Sequence, residues 1–525
     1  METSLESAAT GVTEQDNKGS VVTNLSEDSE DRQANTTTVS TGDTRPYSAF
    51  TNRQKWSLCA LASLAAIFGP ISSNIFVPAI PQVGTSFGIS TQKVDLALTI
   101  YLVFQALSPS FFSGLSDTVG RRPVLMFCLM MYCIACVAIA LTPHNAYWML
   151  LLLRCLQATG GSPALGTGSG AMGDIATPAE RGTYMGLFTG AAMIGPSFGP
   201  VLGGILVEYL SWRWIFWVLA ILCIVNLSVI FVLMPETLRS IVGDGSLRPP
   251  FINAKPIDWI RKKRAHSADP EKVEEVDAAA LATKTTKPKY NPLVSFRMIF
   301  YPEVFLIEVF GSIFFGVFFG VLTVYSTVLA DDYGYDDVKI GLCYLSQGAG
   351  ALLSGVMGGR LIDWQFRRMK VALNFQPKHH RDIEGFPIET ARFKFLPYYL
   401  PVYIASILGF AWSLQYRANI AISIVMSFII GALSQFNTQC CSVCLIDMVP
   451  MRSGAAVASY NFFRCAISAL ISAIITPMTK AMGLGWTFVV LCGALLLSSP
   501  GMWVIRHKGE GWRAQRKQQF GTGHH

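Results

Sequence analysis

The stretch Tyr101–Pro123, YLVFQALSPSFFSGLSDTVGRRP, decides the fold of this chain. Its apolar run reaches water at Ser113 and ends in a turn, residues 117–123, that contains one acid, one glycine and two arginines. A second apolar run, residues 124–141, begins immediately afterwards. Two apolar runs joined by so short a basic hairpin must both cross a membrane, and the arginines place the hairpin on the cytoplasmic side.

The same pattern returns about half a chain later, in Gly359–Arg368, GRLIDWQFRR. The residues that a gapless alignment superimposes are Asp117 on Asp363, Arg121 on Arg367, and Arg122 on Arg368. A repeat at that separation indicates two similar halves, which is the organisation typical of secondary transporters.

The composition is that of a polytopic membrane protein. Hydrophobic residues make up 51% of the 525 and charged residues only 14%, and the mean hydropathy is +0.41. A soluble domain carries about 25% charged residues. The twelve cysteines are scattered without paired zinc spacing, and the cluster Cys440, Cys441 and Cys444 is expected to serve packing. No nucleotide loop, metal cluster or nucleophile–base set appears, so the sequence predicts no enzyme and no cofactor.

Twelve apolar runs are each long enough to span about 30 Å of hydrocarbon. We therefore expect an all-α membrane protein with twelve transmembrane helices in two pseudo-symmetric six-helix halves. The predicted divisions are a disordered cytoplasmic tail (1–52), an N-terminal half (53–234), a cytoplasmic linker (235–300), a C-terminal half (301–507) and a second cytoplasmic tail (508–525). Both tails are expected to be short and disordered. Within the linker, residues 260–287 are expected to form a short surface helix, solvated rather than bound to anionic lipid.

Alternate connections between the runs differ in charge. One set carries the arginine pairs and the basic cluster Arg261–Arg264, whereas the other includes the acidic loop Asp331–Asp337. The positive-inside rule then places both termini in the cytoplasm. The plasma membrane is the default location.

Five motifs resemble one family. They are Asp117-x-x-Gly120-Arg121-Arg122-Pro123, Arg154-Cys155-Leu156-Gln157, the GPSFGPVLGG stretch Gly195–Gly204, Pro235–Arg239, and Asn461-x-x-Arg464-Cys465. The pattern resembles the major facilitator superfamily and, within it, the fungal twelve-helix drug:proton antiporters of the quinidine-resistance and citrate-exporter branch. The resemblance covers roughly residues 53–512. Ser113 and Thr118 depart from the hairpin motif, where glycine and a basic residue are usual.

Two groups of residues are candidates for gating. The hairpin charges either anchor the topology or form a salt-bridged latch that breaks during the cycle, with Asp174 and Asp447 as partners for the arginines. The glycines of the fifth span recur every four residues. They serve either ordinary packing against a neighbouring helix or a hinge and seal between the halves. The gating candidates are Asp117, Gly120, Arg121, Arg122, Asp363, Arg367, Arg368, Gly195, Gly199, Pro200, Gly203 and Gly204.

Arg154 and Arg464 lie well inside their apolar runs, where an arginine costs at least about 2.5–3.5 kcal/mol. Each either belongs to a structural ion pair or faces a polar cavity. Few acids lie at comparable depth, which favours an anionic substrate, because arginine binds carboxylates through paired hydrogen bonds. Further substrate-binding candidates are Asn74, Gln105, Gln157, Gln347 and Asn461, for which interhelical hydrogen bonds are an equal alternative.

The resemblance implies proton-coupled export of a small organic molecule by alternating access, and the arginine pair favours a carboxylate-bearing metabolite. Glu308 is the candidate proton carrier, unless the carried anion itself holds the proton. A multidrug exporter of lipophilic compounds is the first alternative. A non-transporting nutrient sensor is the second, although such sensors call for long folded extensions. The expected partners are the substrate, protons and the bilayer, without nucleic acid, and the chain is expected to act as a monomer.

Overall fold

The computed structural model describes residues 48–247, 249–258, 294–335, 337–375, 385–449 and 452–521. The predicted N-terminal tail falls almost entirely outside these residues, and so does the predicted linker helix. The described chain consists of helices and their connections.

The N-terminal half contains ten helices, of which α10 is a single turn that follows the sixth span. Their bounds are α1 (Asn52–Asn74), α2 (Ile80–Phe87), α3 (Thr91–Val119), α4 (Arg121–Ala140), α5 (Tyr147–Gly161), α6 (Pro163–Ile175), α7 (Arg181–Ala192), α8 (Ile194–Tyr209), α9 (Trp212–Leu233) and α10 (Arg239–Val242).

The described part of the C-terminal half contains long helices separated by two short ones. Their bounds are α11 (Val294–Arg297), α12 (Pro302–Asp331), α13 (Asp337–Ala372), α14 (Ile388–Arg392), α15 (Leu396–Gln415), α16 (Ile420–Met448), α17 (Ser453–Met482) and α18 (Leu484–Gly521).

Ten helical stretches in the described chain are long and apolar enough to cross a membrane. Two others complete the predicted twelve. The fourth is interrupted at Ser162, between α5 and α6, and the ninth is α15, whose prolines and tyrosines make it less apolar. This arrangement of the described helices confirms the predicted fold of two six-helix halves.

Two prolines free backbone carbonyl groups, which then accept hydrogen bonds from side chains of other helices. Pro163 has no N–H, so the carbonyl group of Thr159 loses its helical partner and instead accepts a hydrogen bond from Ser108 Oγ at 2.8 Å. In the same way, Pro109 within α3 frees the carbonyl group of Gln105, and Asn461 Nδ2 lies 3.5 Å from that oxygen. Asn461 belongs to the other half, so this proline opens a polar contact between the halves.

Each half has its own apolar core, and a seam of glycines joins the two. Backbones on α7 and α13 approach so closely that a Cβ atom on Gly186 would overlap the carbonyl oxygen of Gly355, and one on Gly359 would overlap that of Gly182. The seam extends to Gly190, which faces Gly355. Small residues therefore bring the fifth and eighth spans together.

The predicted seal by Gly195, Gly199 and Gly203 needs correction. These glycines face α1, in the same half, where added Cβ atoms would meet the backbone of Pro70 and Ile71, of Asn74 and Ile75, and of Ile75 respectively. Pro200 lies within α8, and nothing lies within 4 Å of a Cβ atom built on Gly204. In this conformation the glycine seam lies between α7 and α13, and α8 meets α13 through Ser197 and Val201, which lie against Gly348 and Gly341.

The predicted disorder of the C-terminal tail is also wrong for most of its length. The helix that forms the twelfth span does not stop near residue 507 but continues to Gly521. The chain leaves the predicted span as a helix with exposed basic residues and with a buried side at Gly509.

Candidate functional site

We call the side of the bundle where α3 meets α4 and where α13 ends the hairpin face. In the N-terminal half, Asp117 forms an ion pair with Arg121, and Arg121 Nε lies 3.1 Å from Asp174 Oδ2. Asp117 also accepts a hydrogen bond from the backbone N–H of Ala455 at 3.2 Å. Ala455 lies at the start of α17 in the C-terminal half, so the predicted latch aspartate joins the two halves here.

Asp363, the pseudo-symmetric counterpart of Asp117, makes the corresponding contact between the halves through more hydrogen bonds. Asp363 accepts hydrogen bonds from the N–H groups of Gly182 and Thr183, both at 2.7 Å, and from Thr183 Oγ1 at 2.6 Å. These donors lie at the start of α7 in the N-terminal half. Each half thus places a carboxylate on the N-terminus of a helix of the other half, where the helix dipole favours negative charge.

A second charged cluster on the hairpin face centres on Asp447. Arg181 of the N-terminal half forms an ion pair with Asp447 Oδ1, and Arg392 Nε lies 2.9 Å from Asp447 Oδ2. Arg392 also donates to the carbonyl oxygen of Pro178 at 2.7 Å, across the boundary between the halves. Asp447 therefore binds Arg181 and Arg392 and not the hairpin arginines for which it was predicted, whereas Asp174 binds Arg121 as predicted.

The gapless alignment of the two halves does not identify Arg392. It places Arg367 and Arg368 where Arg121 and Arg122 stand, but both of these side chains are exposed, and Arg367 only donates to the carbonyl oxygen of Ala179 at 3.3 Å. Arg392 is 1% exposed. A cation in a connection between spans is expected from topology alone, so nothing in the sequence distinguishes it.

Glu236 is a second residue that sequence reasoning missed as part of the site. Its carboxylate is buried and accepts from the N–H groups of Arg121, Thr237 and Leu238 at 2.9–3.0 Å. Asn253 donates to its other oxygen at 2.7 Å and to the carbonyl oxygen of Val119 at 3.0 Å. The segment that follows the sixth span therefore fastens the hairpin.

Arg122 completes this fastening. It donates to the carbonyl oxygens of Ala254 and Phe231, both at 2.7 Å. Gly120, between the two helices, has φ +131°, and a Cβ atom there would overlap Glu236 and Asn253. The hairpin thus requires glycine at this position both for its backbone conformation and for space.

Glu180 lies in the connection before α7 and shows the electrostatics of this face. Lys55 Nζ lies 2.7 Å from its carboxylate, which also accepts from the N–H of Thr177 at 3.1 Å. Burial raises the pKa of the Glu180 carboxyl, but these donors outweigh burial and hold the pKa below its usual range.

Arg154 is fully buried among uncharged groups. Its Nη1 donates to Gln157 Oε1 at 2.8 Å and lies 3.2 Å from the carbonyl oxygen of Ser72. The rings of Phe76 and Tyr101 lie 4.3 and 4.4 Å from its central carbon. The side chain is 0% exposed, and its Nε and Nη2 donate to no described group.

Arg464 occupies a more open position in the other half. Its Nη2 donates to Asn461 Oδ1 at 2.7 Å, the ring of Phe315 lies 4.5 Å from its central carbon, and the side chain is half-buried. Asn461 in turn reaches the carbonyl oxygen of Gln105, one turn of α3 from Tyr101. Arg464 and Asn461 therefore reach α3 of the other half one turn from Tyr101, whose ring contacts Arg154.

The other candidates take different places. Asn74 donates to the carbonyl oxygen of Pro70 and to Ser73 Oγ, within its own helix. Gln347 is 1% exposed, and neither atom of its amide group has a hydrogen-bond partner among the described residues. Glu308 is 0% exposed, and neither of its carboxylate oxygens has such a partner in the described chain.

The arrangement provides two guanidinium groups without a carboxylate at ion-pair distance among the described residues. It also provides the buried carboxyl group of Glu308 on α12. Side chains of this kind bind and release small polar or charged molecules within a bundle that closes at one face. The fold and the site together define a membrane transporter with two similar halves.

The comparisons with known proteins agree. The model of the Major Facilitator Superfamily matches residues 62–472. Citrate exporter 1 of Aspergillus niger is 34% identical over 496 residues, which cover 90% of each chain. Multidrug transporter AQR1 of Candida glabrata is 32% identical over 486 residues, which cover 90% of this chain and 79% of that protein. The solved structure of the proton:xylose symporter XylE is similar with a TM-score of 0.60 at 14% identity, covering 87% of this chain and 97% of that one.

This chain belongs to the Major Facilitator Superfamily. It is a multi-pass membrane protein that transports small organic compounds and not an enzyme. The predicted resemblance to fungal exporters is confirmed by these relatives.

Proposed function

We propose that this transporter exports a small organic metabolite that bears a carboxylate, coupled to proton entry, by alternating access between its halves 53–234 and 301–507. The observation that carries the proposal is that Arg154 and Arg464 lie inside the bundle with no carboxylate partner in the described chain. An arginine at such depth is costly, and such residues mark substrate pathways, pairing partners or water-filled cavities. The name of the citrate exporter relative supports the same substrate class.

The free edge of Arg154 suggests how the substrate binds. In Arg154, Nη1 is engaged with Gln157, and the edge formed by Nε and Nη2 is free, which suits one carboxylate bound through two parallel hydrogen bonds. Arg154 is sealed in this conformation, whereas Arg464 is half-buried. Arg464 is therefore the more accessible of the two here, and Arg154 becomes accessible to substrate only when the surrounding helices separate.

Proton coupling is assigned to Glu308. Glu308 is a buried carboxyl group without an ion-pair partner in the described chain, so it can take up or release a proton when the bundle opens to water. Each pH unit supplies about 1.4 kcal/mol per proton. We place both termini and the hairpin face in the cytoplasm, the protein in the plasma membrane, and the functional unit as a monomer.

In this assignment the hairpin face is the cytoplasmic gate, and it is closed. Asp117, Asp363 and Asp447 each contact the opposite half there. Export requires these contacts to break so that cytosolic substrate can enter, and to form again before release outside.

The test is transport in vesicles with the purified protein. Vesicles are loaded with di- and tricarboxylates or with cationic dyes, and efflux is measured under an imposed pH gradient. Carboxylate efflux should be driven by the gradient and fall at least about tenfold in Arg154→Ala and Arg464→Ala, the cost of one lost charge-assisted contact. The control is Arg360→Ala, which removes an exposed cation on α13. Carboxylate efflux that persists in both variants would overturn the proposal.

A multidrug exporter of lipophilic compounds is the second candidate. Glu308 favours it, because a buried carboxylate is also the group that would attract a lipophilic cation. The multidrug transporter relative supports this alternative. Dye efflux that survives both arginine substitutions and is lost in Glu308→Gln would identify this function.

A further inference from the structure

The helical tail of α18 makes one specific contact with the hairpin face. Arg513 Nε lies 2.8 Å from Glu389 Oε1, and its Nη2 donates to Glu389 Oε2 at 3.1 Å and to the carbonyl oxygen of Phe386 at 3.0 Å. Gly509, one turn earlier, lets the tail approach, since a Cβ atom there would lie 2.8 Å from Glu389 Oε1. The two side chains are only 14% and 4% exposed.

Glu389 belongs to α14, the short helix that ends with Arg392. The two residues are three positions apart, so they lie on neighbouring parts of one helical face. A second connection runs through aromatic rings, because Phe386 packs against Phe366 and the guanidinium of Arg392 lies over that same ring at 4.4 Å. Whatever fixes α14 therefore fixes Arg392.

Arg392 is the residue whose position matters for the gate. It contacts Asp447 in its own half and the carbonyl oxygen of Pro178 in the other half. It is surrounded by packed side chains and is 1% exposed, so it has little room to find the same partners from a displaced helix.

The N-terminal half shows the same construction. There the segment that follows the sixth span carries Glu236, which fastens the hairpin of Arg121. In the C-terminal half the segment that follows the twelfth span carries Arg513, which fastens α14. The two fastenings use different residues, and no alignment of the halves would pair them.

An exposed surface salt bridge contributes only about 0–1 kcal/mol of stability, which is too little to hold a helix in place. In this pair Glu389 is buried and Arg513 is mostly shielded from water. Burial raises the pKa of the Glu389 carboxyl, and the guanidinium of Arg513 opposes that effect. Removing one partner leaves the other charge buried and unpaired, which is far more costly than losing an exposed pair.

We propose that Glu389 and Arg513 are positioning residues of the transport cycle: the helical tail after the twelfth span holds α14, and through it Arg392, so that the hairpin face closes. This inference rests on the proposed alternating access. It adds to that function a role for the C-terminal tail in setting the balance between closed and open states.

The experiment measures conformation and needs no substrate. Spin labels are placed at Val119 and Arg368, which are exposed on the hairpin face of opposite halves. Distances are measured by double electron–electron resonance in the full-length protein. We expect Arg513→Met and Glu389→Gln to raise the population of the longer, open distance at least about threefold. Lys508→Met, which removes an exposed cation from the same tail, should leave the distribution unchanged.

Two further sets of variants distinguish a positioning role from a packing defect and from a wrong assignment of the gate. The exchanged pair Glu389→Arg with Arg513→Glu should restore part of the closed population, which a mere packing defect would not allow. Asp363→Asn serves as a gate reference. If Asp363→Asn opens the hairpin face and Arg513→Met does not, the positioning role is overturned while the gate stands. If neither variant changes the distances, the proposed gate and the inference built on it are both overturned, and transport by the same variants still tests the substrate assignment.

Discussion

Gly120 shows how much of the gate depends on a single residue. Its backbone lies in a region of positive φ that only glycine adopts readily, and its missing side chain leaves the space that Glu236 and Asn253 fill. The hairpin, the carboxylate and the amide therefore form one unit, in which the N–H of Arg121 is satisfied by a residue far along the chain.

Gly120→Ala should destabilise the protein by about 1–3 kcal/mol, because it combines backbone strain with the displacement of a buried carboxylate. The measurement is the thermal unfolding midpoint of the purified protein in detergent. Gly114→Ala is the matched control, since it lies within α3 and nothing lies within 4 Å of the added Cβ atom. That change should be neutral or slightly stabilising, because alanine favours helix. Equal midpoints for both variants would contradict this account.

Glu308→Gln tests proton coupling at the residue scale. The amide keeps the shape of the side chain but cannot release a proton, so transport driven by a pH gradient should fall at least about tenfold while substrate exchange without a gradient continues. Glu208→Gln, at an exposed position near the end of α8, should retain both activities. Unchanged gradient-driven transport in Glu308→Gln would mean that the proton travels elsewhere, for example on the carried anion.

The depth of the two membrane arginines was predictable from sequence, whereas the burial of Arg392 and the contact of Glu236 with the hairpin were not, although Glu236 lies in the motif Pro235–Arg239. A cation within an apolar run is costly and therefore stands out, as Arg154 and Arg464 do. A charged residue between spans is expected from topology, and its burial depends on a tertiary approach that no local pattern records. Whether Arg154 and Arg464 contact the substrate stays a prediction.

At the scale of the helix, the glycines of the fifth span divide into two groups that sequence spacing alone did not separate. Gly195, Gly199 and Gly203 lie against α1, whereas Gly182, Gly186 and Gly190 lie against α13. Both sets recur every four residues, so either set is a candidate for a contact with a neighbouring helix. The motif drew attention to the first set, and only the packing shows that the second set joins the halves.

The adjacent glycines Gly203 and Gly204 provide a matched pair for this packing. A Cβ atom on Gly203 would overlap the carbonyl oxygen of Ile75, while one on Gly204 would meet nothing within 4 Å. We expect Gly203→Ala to force α8 away from α1, to lower the thermal midpoint and to reduce transport several-fold, because backbone cannot give way as a side chain can. Gly204→Ala should leave the midpoint and transport near the native values. Loss of activity in Gly204→Ala alone would contradict the packing assignment.

Hydropathy predicted the spans, but it did not predict where the helices within them are interrupted. The fourth span is a single apolar run in sequence, yet it breaks at Ser162 before Pro163. Where a proline frees a carbonyl group, a polar side chain of another helix can bond to it, as Ser108 does with Thr159. Hydropathy measures transfer from water and contains no term for such a partner.

At the scale of the whole molecule, the two latches are related by pseudo-symmetry but are unequal. Asp363 receives two N–H groups and one hydroxyl group from the start of α7. Asp117 receives one N–H from the start of α17 and is held mainly by Arg121 of its own half. The repeat predicted the positions of the two aspartates, but their unequal strength depends on the donors at the start of α7, which include the hydroxyl group of Thr183.

This inequality leads to a prediction about the opening of the whole protein. Asp363→Asn replaces an acceptor of charge-assisted hydrogen bonds with an amide whose NH₂ group would face donors, so it should weaken the closed hairpin face by at least about 1.4 kcal/mol, a tenfold change in the ratio of open to closed states. Asp117→Asn removes a single longer contact between the halves and should shift that ratio less.

The spin-label distance across the hairpin face measures both ratios in the same background. Asp332→Asn is the control, because Asp332 pairs with Arg417 at an exposed position on the opposite side of the bundle and should not affect closure. Equal shifts in Asp117→Asn and Asp363→Asn would mean that the two latches carry equal weight and that hydrogen bonds from Thr183 add nothing. A larger shift in Asp363→Asn would mean that the halves separate first along the second and eleventh spans, where the weaker latch holds them, and last along the seam of the fifth and eighth.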